Sequence, residues 1–299
     1  MKLQKVEWQG QVAYTVEDGR QMIWLWPEAG ARLCRWVVDG REMLFWPESF
    51  EGVSPERIRG GNPILFPMIA RHFVNGKPGR WRDKDGTMRE MPMHGFARGS
   101  AFTVETEGDF VWMVLSDSET TRRMYPWAFR FRVGYLLVDH GLEARLETTN
   151  LGDRPMPYCV GHHFYFPVPH ASRGSWTLAL GSRQWARQRP DGSIRTEPSL
   201  GERFRLSDYG LVDRFHLELK DRPVILAEEG TGRGVRFDLG GSQVPWYAVT
   251  TWTQQAGSDF YCVEPWTGLP NAIHHGMGLR WLAPGQTETA SCRLVALGP

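Results

Sequence analysis

The sequence predicts an all-β fold, a sandwich or barrel of antiparallel strands with few or no long helices. Three observations carry this. Apolar and polar residues alternate with period two through many short runs. Turn pairs such as Asp18-Gly19, Asp39-Gly40, Glu107-Gly108-Asp109 and Pro284-Gly285 separate many of them. No window shows a capped 3.6-residue stripe, while 33 Gly and 20 Pro punctuate the 299 residues.

The clearest element is a hairpin. Phe129, Phe131, Val133, Tyr135 and Leu137 share one face of a strand, with Arg130 and Arg132 on the other. After the turn Asp139-His140-Gly141, the return strand places Leu142, Ala144, Leu146 and Thr148 against Glu143, Arg145 and Glu147, so the polar faces match. Shorter strands read at 11–17, 20–26, 31–38, 101–106, 110–116, 213–219, 223–227, 244–251 and 286–296. Residues 118–127 and 271–278 hold a helical turn at most. Long irregular loops are expected at 47–62, 68–93, 167–174 and 186–202, and such loops are uncommon unless functional or mobile. With no repeat, low-complexity tract or linker, residues 1–299 read as a single domain.

Composition narrows the partners. The 35 basic and 34 acidic residues leave a net charge of +1, so no long-range field favours nucleic acid or an anionic membrane. The start, Met1 to Trp8, has no apolar core of signal-peptide length, and no apolar run approaches the roughly 20 residues of a membrane helix. Cys34, Cys159, Cys262 and Cys292 form no C-x-x-C pair and read as buried free thiols, which points to a reducing, cytoplasmic setting. Exposed members of the 14 Trp would suit a sugar-binding surface.

The chemistry centres on Tyr261-Cys262-Val263-Glu264-Pro265-Trp266, an apolar strand that delivers one carboxylate and is expected to stop at Pro265. Beside Trp266 and Tyr261, Glu264 suits a general base or a sugar contact. Four other stretches stand out. Arg59-Gly60-Gly61 offers a fork of donors and a backbone that a ligand could approach, or else a solvated loop. His94 lies in the tight loop Met93-His94-Gly95-Phe96-Ala97-Arg98, where a structural role competes with a site. In Val160-Gly161-His162-His163-Phe164-Tyr165-Phe166 the adjacent histidines face opposite ways on a strand, so one can meet a pocket while the other packs away. That spacing, like His274-His275, does not suit a catalytic metal, and none is expected. Asp213 opens a strand and could bind hydroxyls or pair with an arginine. Serine nucleophile elbows, P-loops and dinucleotide fingerprints are missing.

Taken in order, these pieces resemble the aldose 1-epimerase (galactose mutarotase-like) family. They are Arg59-Gly60-Gly61-x-Pro63 with Phe66-Pro67, the His94-Gly-Phe-Ala-Arg98 loop, His163-x-Tyr165-Phe166, Asp213 and Cys262-x-Glu264-Pro265-Trp266. The closing Leu282-Ala283-Pro284-Gly285-Gln286-Thr287 matches too, with Gln286 where Glu is usual. The resemblance implies a large β-sandwich with a concave sugar site, no cofactor, and an isomerase that interconverts the α and β anomers of an aldose. It implies His163 as general acid and Glu264 as general base, on opposite sides of the anomeric centre. His94, Asp213, Arg59, Arg98 and Trp266 would contact the sugar. Two departures are His162 beside the expected acid and the bulky Phe164 before Tyr165.

The fold family divides between free aldoses and hexose 6-phosphates, so the alternative is a glucose-6-phosphate 1-epimerase, with Arg57, Arg71, Lys77 and Arg98 as candidate rim cations. A non-catalytic carbohydrate-binding module and a glycosidase are the further readings; the latter would need a second carboxylate, with Asp213 the only candidate. The expected partner is a monosaccharide or sugar phosphate, bound by a monomer or homodimer.

Overall fold

The structure is a computed structural model, and it describes residues 2–298. The hairpin at its centre joins Phe129–Val138 to Gly141–Asn150 in unbroken register from Phe129↔Asn150 to Val138↔Gly141. Asp139 and His140 form the two-residue loop, with His140 in the left-handed region at a φ of 46°. The matched polar face forms as the sequence predicts. Arg132 bonds Glu147 at 3.0 Å and Glu107 on the neighbouring strand, with its guanidinium 4.1 Å over Trp112.

Three large antiparallel sheets follow. The hairpin lies in a nine-stranded sheet that runs Thr103–Glu107, Phe110–Ser116, the hairpin pair, Thr287–Leu297, Gly234–Asp238, Val224–Glu228, Trp176–Ala179 and Arg203–Arg205. An eight-stranded sheet runs Ile194–Pro198, Ser182–Gln188, Arg214–Leu219, Ala248–Trp252, Phe260–Trp266, Gly161–His162 and Ile64–Leu65, and Phe164–Pro167 also pairs with Phe260–Trp266. Residues 2–42 form a five-stranded meander, beginning with the edge strand Lys2–Trp8. One core cluster draws on all three sheets: Ile23, Leu33 and Trp36 from the meander, Phe129, Phe131 and Tyr135 from the hairpin, Phe164 and Val263 from the eight-stranded sheet. Phe66 stacks on Phe131 at 4.2 Å and ties the site-bearing segment to this core.

Most expected strands form within a residue or two of their predicted bounds. The exception is 244–251, which begins only at Ala248 because Pro245 cannot join the ladder. The helical turns are Glu119–Met124, closed by a Ser118–Thr121 capping box, and Ala272–His275. Two expected loops prove to be partly strand. Residues 68–93 hold the small pairs Phe73–Val74 with Lys77–Pro78 and Arg80–Arg82 with Met88–Glu90, and Ile194–Pro198 joins the sheet inside 186–202. These segments lie largely open to solvent, so they lack the alternation that reveals a half-buried strand. The four cysteines are free and buried, as expected, and no helix among the described residues is long and apolar enough to cross a membrane.

Three histidines sit deep in this framework. Burial pushes His72, His162 and His216 each down to about 3 from 6.5. Each is therefore neutral in the folded state and readily protonated in the unfolded one. Their stabilising contribution is complete above pH 6.5 and is lost as pH falls toward 3, at about 1.4 kcal/mol per pH unit for each group. Denaturant unfolding followed from pH 7 to pH 4 should show stability falling with acid. His216→Leu should make that slope shallower by about one proton; an unchanged slope would refute the assignment for His216.

Candidate active site

The strand Phe260–Trp266 places Cys262, Glu264 and Trp266 on one face by simple alternation. It does not stop at Pro265, as expected, but continues to Trp266. The reason lies in its partner. Trp266 pairs with Gly161 and Val263 with Phe164, but between those pairs the ladder is open over two residues on each strand. Pro265, which lacks an N–H, stands in this gap, where none is required. Counting inward from either pair, the residue opposite Glu264 is His163.

His163 Nε2 stands 3.4 Å from Glu264 Oε2, and the two residues are only 6% and 1% exposed. The pair is thus adjacent rather than divided by a sugar ring. Asn62 holds the opened backbone. Its Oδ1 accepts the His163 N–H at 2.8 Å, and its Nδ2 bonds the Tyr135 hydroxyl at 3.0 Å and His162 Nδ1 at 2.9 Å. Since an amide nitrogen only donates, His162 carries its proton on Nε2. His162 stacks on Phe164 at 4.9 Å and faces the core, so His163 is the histidine that meets Glu264.

His94 approaches from a third segment. Its φ of 68° turns the loop sharply, and it exchanges two bonds with Ala70: its N–H donates to the carbonyl at 2.9 Å, and its Nδ1 accepts the Ala70 N–H at 3.2 Å. Neutral His94 is therefore protonated on Nε2, making it a fixed donor. The ring lies edge-on to His163 at 5.5 Å. Gly95 follows with φ of 75°, and a Cβ there would stand 2.1 Å from the Phe66 carbonyl oxygen, so only glycine fits.

Asp213, at φ 56°, immediately precedes the strand Arg214–Leu219. Arg59 is exposed, its guanidinium 5.1 Å over the half-buried Trp252, which in turn meets His163 edge-on at 5.8 Å. Arg98 is more enclosed; burial first, then the neighbouring Arg32 and Arg59, press it down to about 10. The positive fields acting on His94 come from Arg98, His163, Arg71 and Arg59, whereas Arg57 and Lys77 are not among them.

Burial dominates the electrostatics of the pair. It holds His163 well below 6.5, aided by Arg98, Arg59 and Arg32. It holds the Glu264 carboxyl well above 4.5, aided by the negative charge of Asp213 and opposed by the Trp266 indole. Asp213 itself is raised by burial and pulled back by Arg71 and Arg187. Both members of the pair thus favour their neutral forms and share one proton.

Two sequence expectations need correction. Trp266, expected to contact the sugar, is 3% exposed, packed against Phe215 at 5.5 Å and 6.0 Å from His94, so little of its indole is open to a ligand. Gly61 serves close packing rather than ligand approach, because at φ 65° a Cβ would stand 2.2 Å from the Leu33 carbonyl oxygen. Three site residues escaped the sequence reading of roles. Asn62 stood as the variable position of a motif, Cys262 as a buried thiol, and Trp252 beyond any motif. Cys262 is the informative one, since donor atoms of His163, Cys262 and Glu264 all lie within 4.8 Å of one another.

The site is thus a buried histidine–carboxylate pair within a layered antiparallel β-sandwich. The chain matches the aldose 1-epimerase family over residues 12–294 and belongs to that family. It is 27% identical to the chromosomal LacX protein of Lactococcus lactis subsp. lactis over 256 residues, 80% of this chain and 82% of that one. Two solved structures share its fold. The Slr1438 protein of Synechocystis sp. PCC 6803 has a TM-score of 0.82 at 24% identity, covering 97% of this chain and 96% of that one. A galactose mutarotase-related enzyme from Lactobacillus acidophilus has a TM-score of 0.80 at 23% identity, covering 95% and 97%.

Asn62→Ala should strand the His163 N–H, the Tyr135 hydroxyl and His162 Nδ1 at once. At about 1–3 kcal/mol for each unsatisfied buried group, the loss should reach about 3 kcal/mol or more in urea unfolding. Tyr135→Phe removes one partner and should cost about 1 kcal/mol. Equal losses in the two variants would contradict the hub role of Asn62.

Proposed function

We propose that this chain is an aldose 1-epimerase that interconverts the α and β anomers of an aldohexose by opening and reclosing the ring. The observation that carries the reading is the buried His163–Glu264 pair at 3.4 Å. Mutarotation takes the proton from O1–H and gives one to the ring oxygen. The C1–O5 bond breaks, the aldehyde turns about C1–C2, and closure on the other face reverses both transfers. Because O1 and O5 are attached to the same carbon, an acid and a base side by side can serve both.

Glu264 acts as base and His163 as acid. The imidazolium–carboxylate form this requires differs from the neutral pair by one proton moved across 3.4 Å, so no exchange with bulk water is needed. His94 Nε2–H donates to a sugar hydroxyl, Asp213 accepts from another, and Arg59 with Trp252 closes the outer side. The reaction needs no cofactor, since two positioned groups each typically contribute about 10²–10⁴-fold. Buried free thiols support a reducing, cytoplasmic setting.

A second reading concerns the substrate. Arg59, Arg71 and Arg98 all act on His94, and of the site's two carboxyl groups Glu264 is held toward its neutral form. That excess of positive charge favours a hexose 6-phosphate over a neutral aldose. Rates on glucose, galactose and glucose 6-phosphate, followed by NMR exchange at low and high salt, separate the two; a salt-sensitive preference for the phosphate supports this reading.

Glu264→Gln and His163→Asn should each slow anomer equilibration at least about 100-fold while leaving the far-ultraviolet spectrum unchanged. Wild-type polarimetric rates in both would overturn the assignment, and sugar binding without acceleration in the wild type would make the chain a binding module. Activity should follow a bell-shaped pH profile. A second proton on the pair stops the reaction on the acid side, with a limb below the ordinary histidine value of 6.5. Loss of the shared proton stops it on the alkaline side, with a limb above the ordinary glutamate value of 4.5.

A further inference from the structure

We propose that His163, Cys262 and Glu264 form a binding site for a thiophilic divalent cation, zinc above all, and that the bound ion switches the site off. Their donor atoms lie within 4.8 Å of one another, all three residues are buried, and Glu264 Oε2 lacks a hydrogen-bond partner. The register explains the cluster. Cys262 and Glu264 are two residues apart on one strand face, Tyr165 pairs with Cys262, and His163 stands opposite Glu264. A Cys-x-Glu pair on one strand plus a His on its neighbour leaves no trace in the usual linear metal spacings.

The donor set fits zinc chemistry. A tetrahedral ion with ligands at about 2.0–2.3 Å sets its donors roughly 3.3–3.8 Å apart. His163 and Glu264 already meet that spacing at 3.4 Å, so closure falls to the Cys262 side chain. A thiolate, a carboxylate and an imidazole with a water in the fourth position match an open zinc site. Binding releases the thiol proton and the proton shared by the pair. The two resulting negative charges neutralise the ion, so the guanidinium groups of Arg59 and Arg98 face no net added charge. Zinc occupies the imidazole and carboxylate that would move protons, and so competes with the sugar. The competition with catalysis rests on the proposed epimerase reading; the binding does not.

Cobalt and zinc binding to the purified metal-free chain test this without any assay of turnover. One equivalent of Co²⁺ should give a thiolate-to-metal charge-transfer band in the near ultraviolet and intense visible bands of a tetrahedral site. Zinc should displace it with one-to-one stoichiometry by calorimetry. Cys262→Ser should lose the band and weaken zinc binding at least about 100-fold. Glu264→Gln should weaken zinc binding as well, which covers the case in which the serine variant does not fold. Zinc affinity unchanged in both variants, a cobalt complex without the thiolate band, or binding abolished by replacing His274 and His275 alone would overturn the proposal. Zinc binding intact in a chain inactive on every aldose would refute the epimerase reading and leave this site standing.

Discussion

The Asn62 carboxamide is the interaction on which the site depends. The ladder between Phe260–Trp266 and its neighbour must open for His163 and Glu264 to face each other without backbone bonds between them, and opening it strands polar groups in the interior. Side chains replace the missing ladder. Asn62 takes the His163 N–H, and Thr267 Oγ1 accepts the Val160 N–H at 2.8 Å just before the gap. Through the Asn62 backbone pairing with Leu33, its bond to Tyr135 and its bond to His162, one residue joins the five-, nine- and eight-stranded sheets. A break that would be a defect elsewhere is fixed here from three directions.

The same enclosure sets the electrostatics. A buried imidazole and a buried carboxyl each resist charge, and nearby arginines reinforce this only for the imidazole. The cost of separating charge within the pair therefore depends on what enters the site. A ligand that brings hydroxyl dipoles to His94, Asp213 and Arg59 solvates the charged form where water cannot. On the proposed reading, the surrounding groups would then do more than orient a sugar: they would adjust the free-energy difference between the two protonation states of the pair.

The legible part of the chain is the part with one wet and one dry face. The 129–150 hairpin was readable because burial on one side and arginine–glutamate matching on the other both leave a period-two mark. The largely exposed strands at 88–90 and 194–198 leave none. Around the site the pattern reversed. His94, His163, Asp213 and Glu264 could be named because they are chemically unusual in their stretches, but their distances could not, since the pairing that sets His163 opposite Glu264 spans about a hundred residues of sequence. Asn62 was hidden for another reason: its importance lies in having three bonding partners, all of them remote in sequence, and no local pattern encodes that.

Alternation also explains why the site carries more than the reaction needs. A strand cannot present Glu264 to the cavity without presenting positions 262 and 266 to the same side. At 266 the consequence is a wall: Trp266 fills the space beneath His94 and keeps water from the inner side of the pair. At 262 the consequence is a small sulfur atom that packs among Tyr165, Phe260 and Trp252. A larger apolar residue would press on Tyr165, on which His163 stacks at 4.8 Å, and so on the imidazole itself. The thiol satisfies the packing, and its coordinating power comes with it. Geometry that brings an imidazole to a carboxylate across an opened ladder brings the sulfur into the same shell.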